Sequence, residues 1–243
     1  MVIDGNDNVW IGGVGGLLKF DGQQFTLYNS QNTPMPLDYV ENIAVDSKNT
    51  LWFASGNVST GGIVKYDGKT WTVYTPENSI LPYSLVSGLV TDRSDSVWVA
   101  LSIRLVRISN GEWKLFSNEE LGFTPYSISD IAINSKNQLV GVIDYFHSSM
   151  LFSSSNPSLF IFDGKHTTLR SCSDGGRYRM PELLVDSKDR VWCFGFISVC
   201  GVWIGGQWEK IDLFGDATVW AMKEDALHRI WFGTENGVYI RYE

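Results

Sequence analysis

The sequence predicts an all-β fold: a six-bladed β-propeller of four-stranded antiparallel blades, the terminal blades incomplete, forming one domain over residues 1–243. Three observations carry this. A segment running six residues from Asp or Asn to a large apolar residue recurs six times. An Asp-Gly, Asn-Gly or Gly-Gly turn follows it at matching places. The composition fits: 10 Trp, 10 Tyr and 13 Phe suit strands, and 24 Gly suit the turns between them.

The repeated segments are "DGNDNVW" (4–10), "DSKNTLW" (46–52), "DRSDSVW" (92–98), "NSKNQLV" (134–140), "DSKDRVW" (186–192) and "DALHRIW" (225–231). Only the fourth lacks Trp, with Val140 in its place. Ahead of every turn but the first lies an apolar residue: Val40, Val86, Ile128, Met180 and Val219. A second follows three residues on: Ile43, Leu89, Ile131, Leu183 and Met222. This is a short inner strand ending in the turn. The Trp then opens a second strand, as in "VWIGG", "LWFAS" and "IWFGT". A third comprises "GGLLKFDG" (15–22), "GGIVKYDG" (61–68), "RLVRISNG" (104–111), "SLFIFDG" (158–164) and "CGVWIGG" (200–206), each closed by the strongest short hairpin signal. A fourth follows: "QFTLY", "TWTVY", "EWKLF", "HTTLR" and "QWEKI". Four antiparallel strands per repeat is the pattern of a propeller blade, which buries its faces only against neighbouring blades. The first repeat lacks most of its inner strand, and the last stops after its third.

The repeated residues read as structural. The turn Asp accepts backbone N–H groups, the Trp fills space between blades, and the Gly after it admits close backbone approach. "DGNDN" (4–8) opens like a calcium loop, but the sixth loop position is Val9 and the twelfth Gly15, where such a loop has Gly and Glu.

A net charge of −8 argues against nucleic-acid binding, which requires a cationic surface. No apolar run approaches the about 20 residues that span a bilayer. The N-terminus has no basic and apolar leader, so the sequence reads as a mature form or excised domain without a signal peptide. Cys172, Cys193 and Cys200 lack metal-ligand spacing; buried thiols and a Cys193–Cys200 bridge both stand open. No cofactor is called for.

The repeats resemble the two-component-regulator propeller (Reg_prop) family, whose unit runs Leu-Pro, a short strand, Asp, Leu-Trp-Ile-Gly-Thr, then Asn-Gly-Leu and an aromatic. "NSILPYSLVSGLVTDRSDSVW" (78–98), "DALHRIWFGTENGVY" (225–239) and "DGNDNVWIGGVGGLLKFDG" (4–22) carry the likeness. It covers essentially the whole chain, is weaker in the third repeat and is degraded in the fourth. It implies a sensor or ligand-binding module, periplasmic or extracellular, often for polysaccharides. It also implies a signalling partner or further domains on a longer chain, because no kinase, receiver or DNA-binding segment is present.

Binding is expected where the repeat breaks, on loops held by a rigid scaffold. The fourth repeat carries the insertion "DYFHSSMLFSSSNPS" (144–158), with Tyr145 and His147. The connections between blades place Tyr39, Tyr83, Tyr126 and Tyr178 near equivalent positions, with Arg177 and Arg179 beside the last. Tyrosines with a guanidinium can stack on sugar rings or hold an anion, and these eight residues are the candidate site for a small-molecule or oligosaccharide ligand. No nucleophile or metal motif surrounds His147, His166 or His228. An alternative is a calcium-dependent propeller hydrolase or lactonase, with Asn42, Asp130 and Glu182 as oxygen ligands from three inner strands. A third reading is a protein-interaction scaffold, using aromatics such as Trp113 and Trp208.

Overall fold

The computed structural model describes residues 1–57, 60–83, 85–125, 127–143, 158–171, 182–194, 200–211 and 217–242. Two compact units, Met1–Ser117 and Asn118–Glu243, divide the chain.

In the first unit, β1 (Val2–Ile3), β2 (Val9–Gly13), β3 (Gly16–Phe20) and β4 (Phe25–Tyr28) form the first sheet. β5 (Val40–Val45), β6 (Leu51–Gly56), β7 (Gly61–Tyr66) and β8 (Trp71–Tyr74) form the second. β9 (Gly88–Thr91), β10 (Val97–Leu101), β11 (Arg104–Ser109) and β12 (Glu112–Leu115) form the third. Each is an antiparallel meander in sequence order.

The second unit opens with a short helix, α1 (Asn118–Leu121), which the sequence reading did not anticipate. Its fourth sheet runs β13 (Ile128–Ile133), β14 (Leu139–Ile143), β15 (Ser158–Phe162) and β16 (Thr167–Ser171). The fifth runs β17 (Glu182–Val185), β18 (Val191–Phe194), β19 (Cys200–Ile204) and β20 (Gln207–Ile211). The sixth has three strands, β21 (Val219–Glu224), β22 (Ile230–Thr234) and β23 (Gly237–Arg241). These six sheets are the blades of a six-bladed β-propeller. The two-residue β1 and the three-stranded last blade match the incomplete terminal repeats read from the sequence. No helix among the described residues is long and apolar enough to cross a membrane.

The first turn of each blade explains the repeated Asp. Asp46 Oδ1 accepts the backbone N–H groups of Lys48 (3.0 Å) and Thr50 (2.8 Å). The residue three after the turn Asp is left-handed in every blade: Asp7, Asn49, Asp95, Asn137, Asp189 and His228 all have φ between 59° and 63°. Asn and Asp tolerate that conformation best among side-chain-bearing residues, which is why they fill five of the six places. The fourth blade keeps the turn without its Trp: Asn134 Oδ1 accepts Lys136 and Gln138 N–H, and Val140 is buried.

The Trp has a second role beyond filling space. Its indole N–H donates to the turn carboxylate six residues earlier, at 2.8 Å for Trp10–Asp4, 2.9 Å for Trp98–Asp92, and 2.8 Å for Trp192–Asp186 and Trp231–Asp225. In the first three blades a cation from the paired strand lies over the same indole: Lys19 on Trp10, Lys65 on Trp52 and Arg107 on Trp98.

The cores lie between blades. In the first unit Trp10, Leu17 and Tyr28 of the first blade pack on Leu51, Phe53 and Val64 of the second. Trp52, Ala54 and Ile63 of the second pack on Val97, Val99 and Val106 of the third. In the second unit Val140, Val142 and Leu159 meet Val191 and Cys193, and Trp192, Phe194 and Val202 meet Val219, Ile230 and Phe232. Each buried Val, Leu, Ile or Phe among them contributes about 1.5–3 kcal/mol. Gly12 marks how tightly blades approach, since a Cβ there would sit 2.7 Å from the Val40 carbonyl oxygen. Cys193 is buried; Cys172 and the Cys200 side chain lie outside the described residues.

Polar clasps tie neighbouring turns. Gly5 N–H donates to Asn49 Oδ1 (2.7 Å), and Ser47 gives its N–H and hydroxyl to the two Asp95 oxygens (2.9 and 2.7 Å). In the second unit Ser135 clasps Asp189 in the same way. Ser187 donates to Glu224, with His228 Nδ1 2.9 Å from its hydroxyl. The second residue of one turn thus grips the next blade at or beside its left-handed turn residue.

Candidate ligand-binding face

In the first unit the connections between blades and the loops between second and third strands lie at one end, opposite the clasped turns. Gly15 N–H donates to Asp38 O (2.7 Å), Val14 bridges Tyr39, and Gly56 N–H donates to Tyr39 O (3.0 Å). The connection of the third blade is joined likewise, through Ser87 N–H to Ala100 O (2.9 Å). Tyr39 and Tyr83, two of the eight candidates, both stand on this end.

Their surroundings differ. Tyr39 is exposed, and its hydroxyl donates to the carboxylate of exposed Glu41. That hydrogen bond, with partial burial and the negative charge, raises the phenol above its usual range. Tyr83 is a clamp: its hydroxyl donates to Leu101 O and accepts the Ile103 N–H (3.2 Å), and its ring packs on the core between second and third blades. Burial raises its phenol. The polar tip of Tyr83 is therefore engaged in holding two loops together, and its ring is what remains for other contacts.

The structure adds residues that periodicity could not single out. Val14 (92% exposed), Ile80, Leu85 and Ile103 all present apolar side chains on loops of this end. Val14 is bridged to Tyr39, so these two put exposed apolar surface side by side, with the Glu41 carboxylate at the Tyr39 hydroxyl. Such a surface takes the apolar face of a ligand and offers an acceptor to its hydroxyl or amino groups.

In the second unit Tyr126, Tyr145, His147, Arg177, Tyr178 and Arg179 lie outside the described residues. The insertion does join β14 to β15, as read from the sequence. The alternative calcium ligands are occupied structurally where described. Asn42 donates to Val86 O of the next blade (3.3 Å) at a bulge in β5. Asp130, at a bulge in β13, accepts Ile131 N–H (2.8 Å) and Leu183 N–H of the next blade (3.0 Å). Glu182 lies in β17, its side chain outside the described residues. Among the described residues no three His, Cys, Asp or Glu side chains are grouped to hold a metal ion. His166 and His228 stand on exposed turns beside Asp163 and Glu224. Trp113 packs against Tyr74 at 4.8 Å, and Trp208 covers Gly201, so both are packing residues of their blades.

No protein-family model matches the chain, and no curated protein matches it. Solved structures do. The extracellular domain assigned to a hybrid two-component system of B. thetaiotaomicron superposes with a TM-score of 0.73 at 16% identity, over 98% of this chain and 32% of that one. Virginiamycin B lyase from Staphylococcus aureus gives 0.74 at 16%, over 100% of this chain and 83% of the lyase. PorZ, a bacterial surface component of the type-IX secretion system of Porphyromonas gingivalis, gives 0.65 at 14%, over 96% and 38%. At these identities the likeness establishes the propeller fold. The chain spans about a third of the two-component-system domain that it matches.

Proposed function

We propose that this chain is a ligand-binding portion of an extracytoplasmic sensor, built from repeats of the two-component-regulator propeller type. The observation that carries the reading is the superposition, over nearly the whole chain, on an extracellular domain assigned to a two-component system. The site supports it. The repeated Asp and Trp residues are consumed by turns and blade packing, which leaves the connecting loops to recognise a ligand. The ligand is a small molecule or oligosaccharide. In the first unit it meets Tyr39 and the exposed Val14 bridged to it, with Glu41 accepting from a sugar hydroxyl and the Tyr83 ring as a supporting surface. In the second unit the contacts are Tyr126, Tyr145, His147, Arg177, Tyr178 and Arg179. The working compartment is periplasmic or extracellular, and a signalling partner or further domains read the bound state.

Thermal unfolding against a panel of oligosaccharides, small anions and calcium tests this. A ligand at a hundred times its Kd stabilises by about 2.7 kcal/mol, a visible shift in midpoint. A sugar or anion hit is the expected result; a panel without one overturns the reading.

A catalytic reading is favoured by one observation, that virginiamycin B lyase matches over four-fifths of its own length. Incubation with virginiamycin B, followed by mass spectrometry of the antibiotic, separates the two: conversion to a product would make this chain an enzyme, and unchanged antibiotic leaves the sensor.

A further inference from the structure

The loop end of the first two blades is electrically one-sided. Three loops join there, through Gly15 N–H to Asp38 O (2.7 Å), the Val14–Tyr39 bridge and Gly56 N–H to Tyr39 O (3.0 Å). Their sequences, residues 13–15, 29–39 and 56–61, contain no Lys, Arg or His, and β5, into which Tyr39 leads, adds Glu41. Asp38 Oδ1 accepts the Ser30 N–H (2.6 Å), and Glu41 is the carboxylate at the Tyr39 hydroxyl. Glu41 is exposed and accepts that hydroxyl through Oε1; its Oε2 receives no donor among the described residues.

The Tyr39 ring stands apart from the other rings of its unit. Lys19, Lys65 and Arg107 each lie over a blade Trp. Tyr39 has a carboxylate at its edge and no such cation among the described residues. A ring face and a carboxylate attract the same kind of group, a positive charge, and the Val14 methyls beside them suit the carbon that bears it. A calcium ion is the poorer occupant, because it takes about six to eight oxygen ligands. A ligand carboxylate meets like charge, with no cation on the three loops to offset it.

We propose that Glu41 sets the charge selectivity of the first-unit site. The site admits a ligand that carries an ammonium group beside an apolar face, the cation seated between the Glu41 carboxylate and the Tyr39 ring, and it turns away carboxylated ligands. This rests on the reading of this end as a ligand-binding face and narrows that reading to an amine-bearing class.

Isothermal titration of the full chain with glucosamine, glucose, glucuronate and ethanolamine tests it. Glucosamine should bind roughly tenfold or more tightly than glucose. Glucuronate should not bind, and added salt should weaken the glucosamine complex, since exposed charges are screened. Glu41→Gln should bring glucosamine down to the affinity of glucose, and Tyr39→Leu should weaken both; the two side chains are exposed, so unfolding midpoints should hold. Ethanolamine distinguishes two sources of the same chemistry. Affinity equal to glucosamine gives the site to small amines in general, and weaker binding gives it to amino sugars. Equal affinity for glucosamine and glucose, or a preference for glucuronate, overturns the selectivity and leaves the sensor reading standing. Glucosamine binding that survives Glu41→Gln undiminished overturns it as well. If none of the four binds, the amine site is refuted, and the wider ligand panel decides the sensor reading separately.

Discussion

The indole N–H of Trp192 donates to Asp186 Oδ2 across 2.8 Å in a buried turn where Arg190 Nε meets the same oxygen at 2.6 Å. In the second blade the equivalent Trp52 is buried too, yet its Nε1 has no acceptor among the described residues. Identical sequence spacing thus yields a hydrogen bond in one blade and none in the other. Trp192→Phe should lower stability by about 1–2 kcal/mol more than Trp52→Phe, because only the first removes a donor from a buried carboxylate. Denaturant midpoints of the two variants check this, and equal losses would contradict it.

Trp52→Ala is a different matter. The side chain packs against Ala54, Ile63 and the third blade, and stacks on Tyr74 with centroids 6.2 Å apart. Its removal leaves a cavity between blades and should cost about 3–5 kcal/mol. A negligible change in unfolding midpoint would refute its role between the blades.

The clasp between Ser47 and Asp95 should show as coupling. Ser47→Ala removes the hydroxyl bond and Asp95→Ala removes both bonds of the clasp, so the double variant should melt no lower than Asp95→Ala alone. Additive losses would mean that the two residues act separately.

Acid should loosen the first and last turns. Burial alone would raise the Asp4 carboxyl, but hydrogen bonds from Trp10, Asn8 and the backbone outweigh it and hold the pKa below the usual 3.8. Asp225 is depressed as well, burial again being outweighed by Trp231 and Arg229. A carboxyl lower in the folded state contributes stability that is present above its unfolded pKa and lost as pH falls through the folded one. Stability should therefore decline below about pH 4, and Asp4→Asn should make that decline shallower. A melting profile across pH 2–6 decides it; an unchanged slope in the variant counts against the Asp4 bonds.

Replacing Tyr126 and Tyr178 together with Ala should abolish binding of any ligand found in the thermal panel, with the unfolding midpoint retained. The motivation is their shared position in the connections between blades. Isothermal titration of the double variant is the measurement, and unchanged affinity removes them from the site.

The sequence by itself determined the blades. Turn Asp, strand Trp and hairpin Gly act over a few residues, so their spacing is written along the chain, and β2 to β4 or β6 to β8 could be read off before any coordinates. It also determined that Tyr39 and Tyr83 fall on connecting loops. Only the tertiary structure decided that Tyr83 spends its hydroxyl on Leu101 and Ile103, that Asn42 and Asp130 brace the next blade, and that Val14 stands exposed beside Tyr39. Local hydrogen bonding and strand alternation are encoded in neighbouring residues. Which donor reaches which acceptor across 18 or 44 residues, and which apolar face is left to solvent, depends on the packing of whole blades.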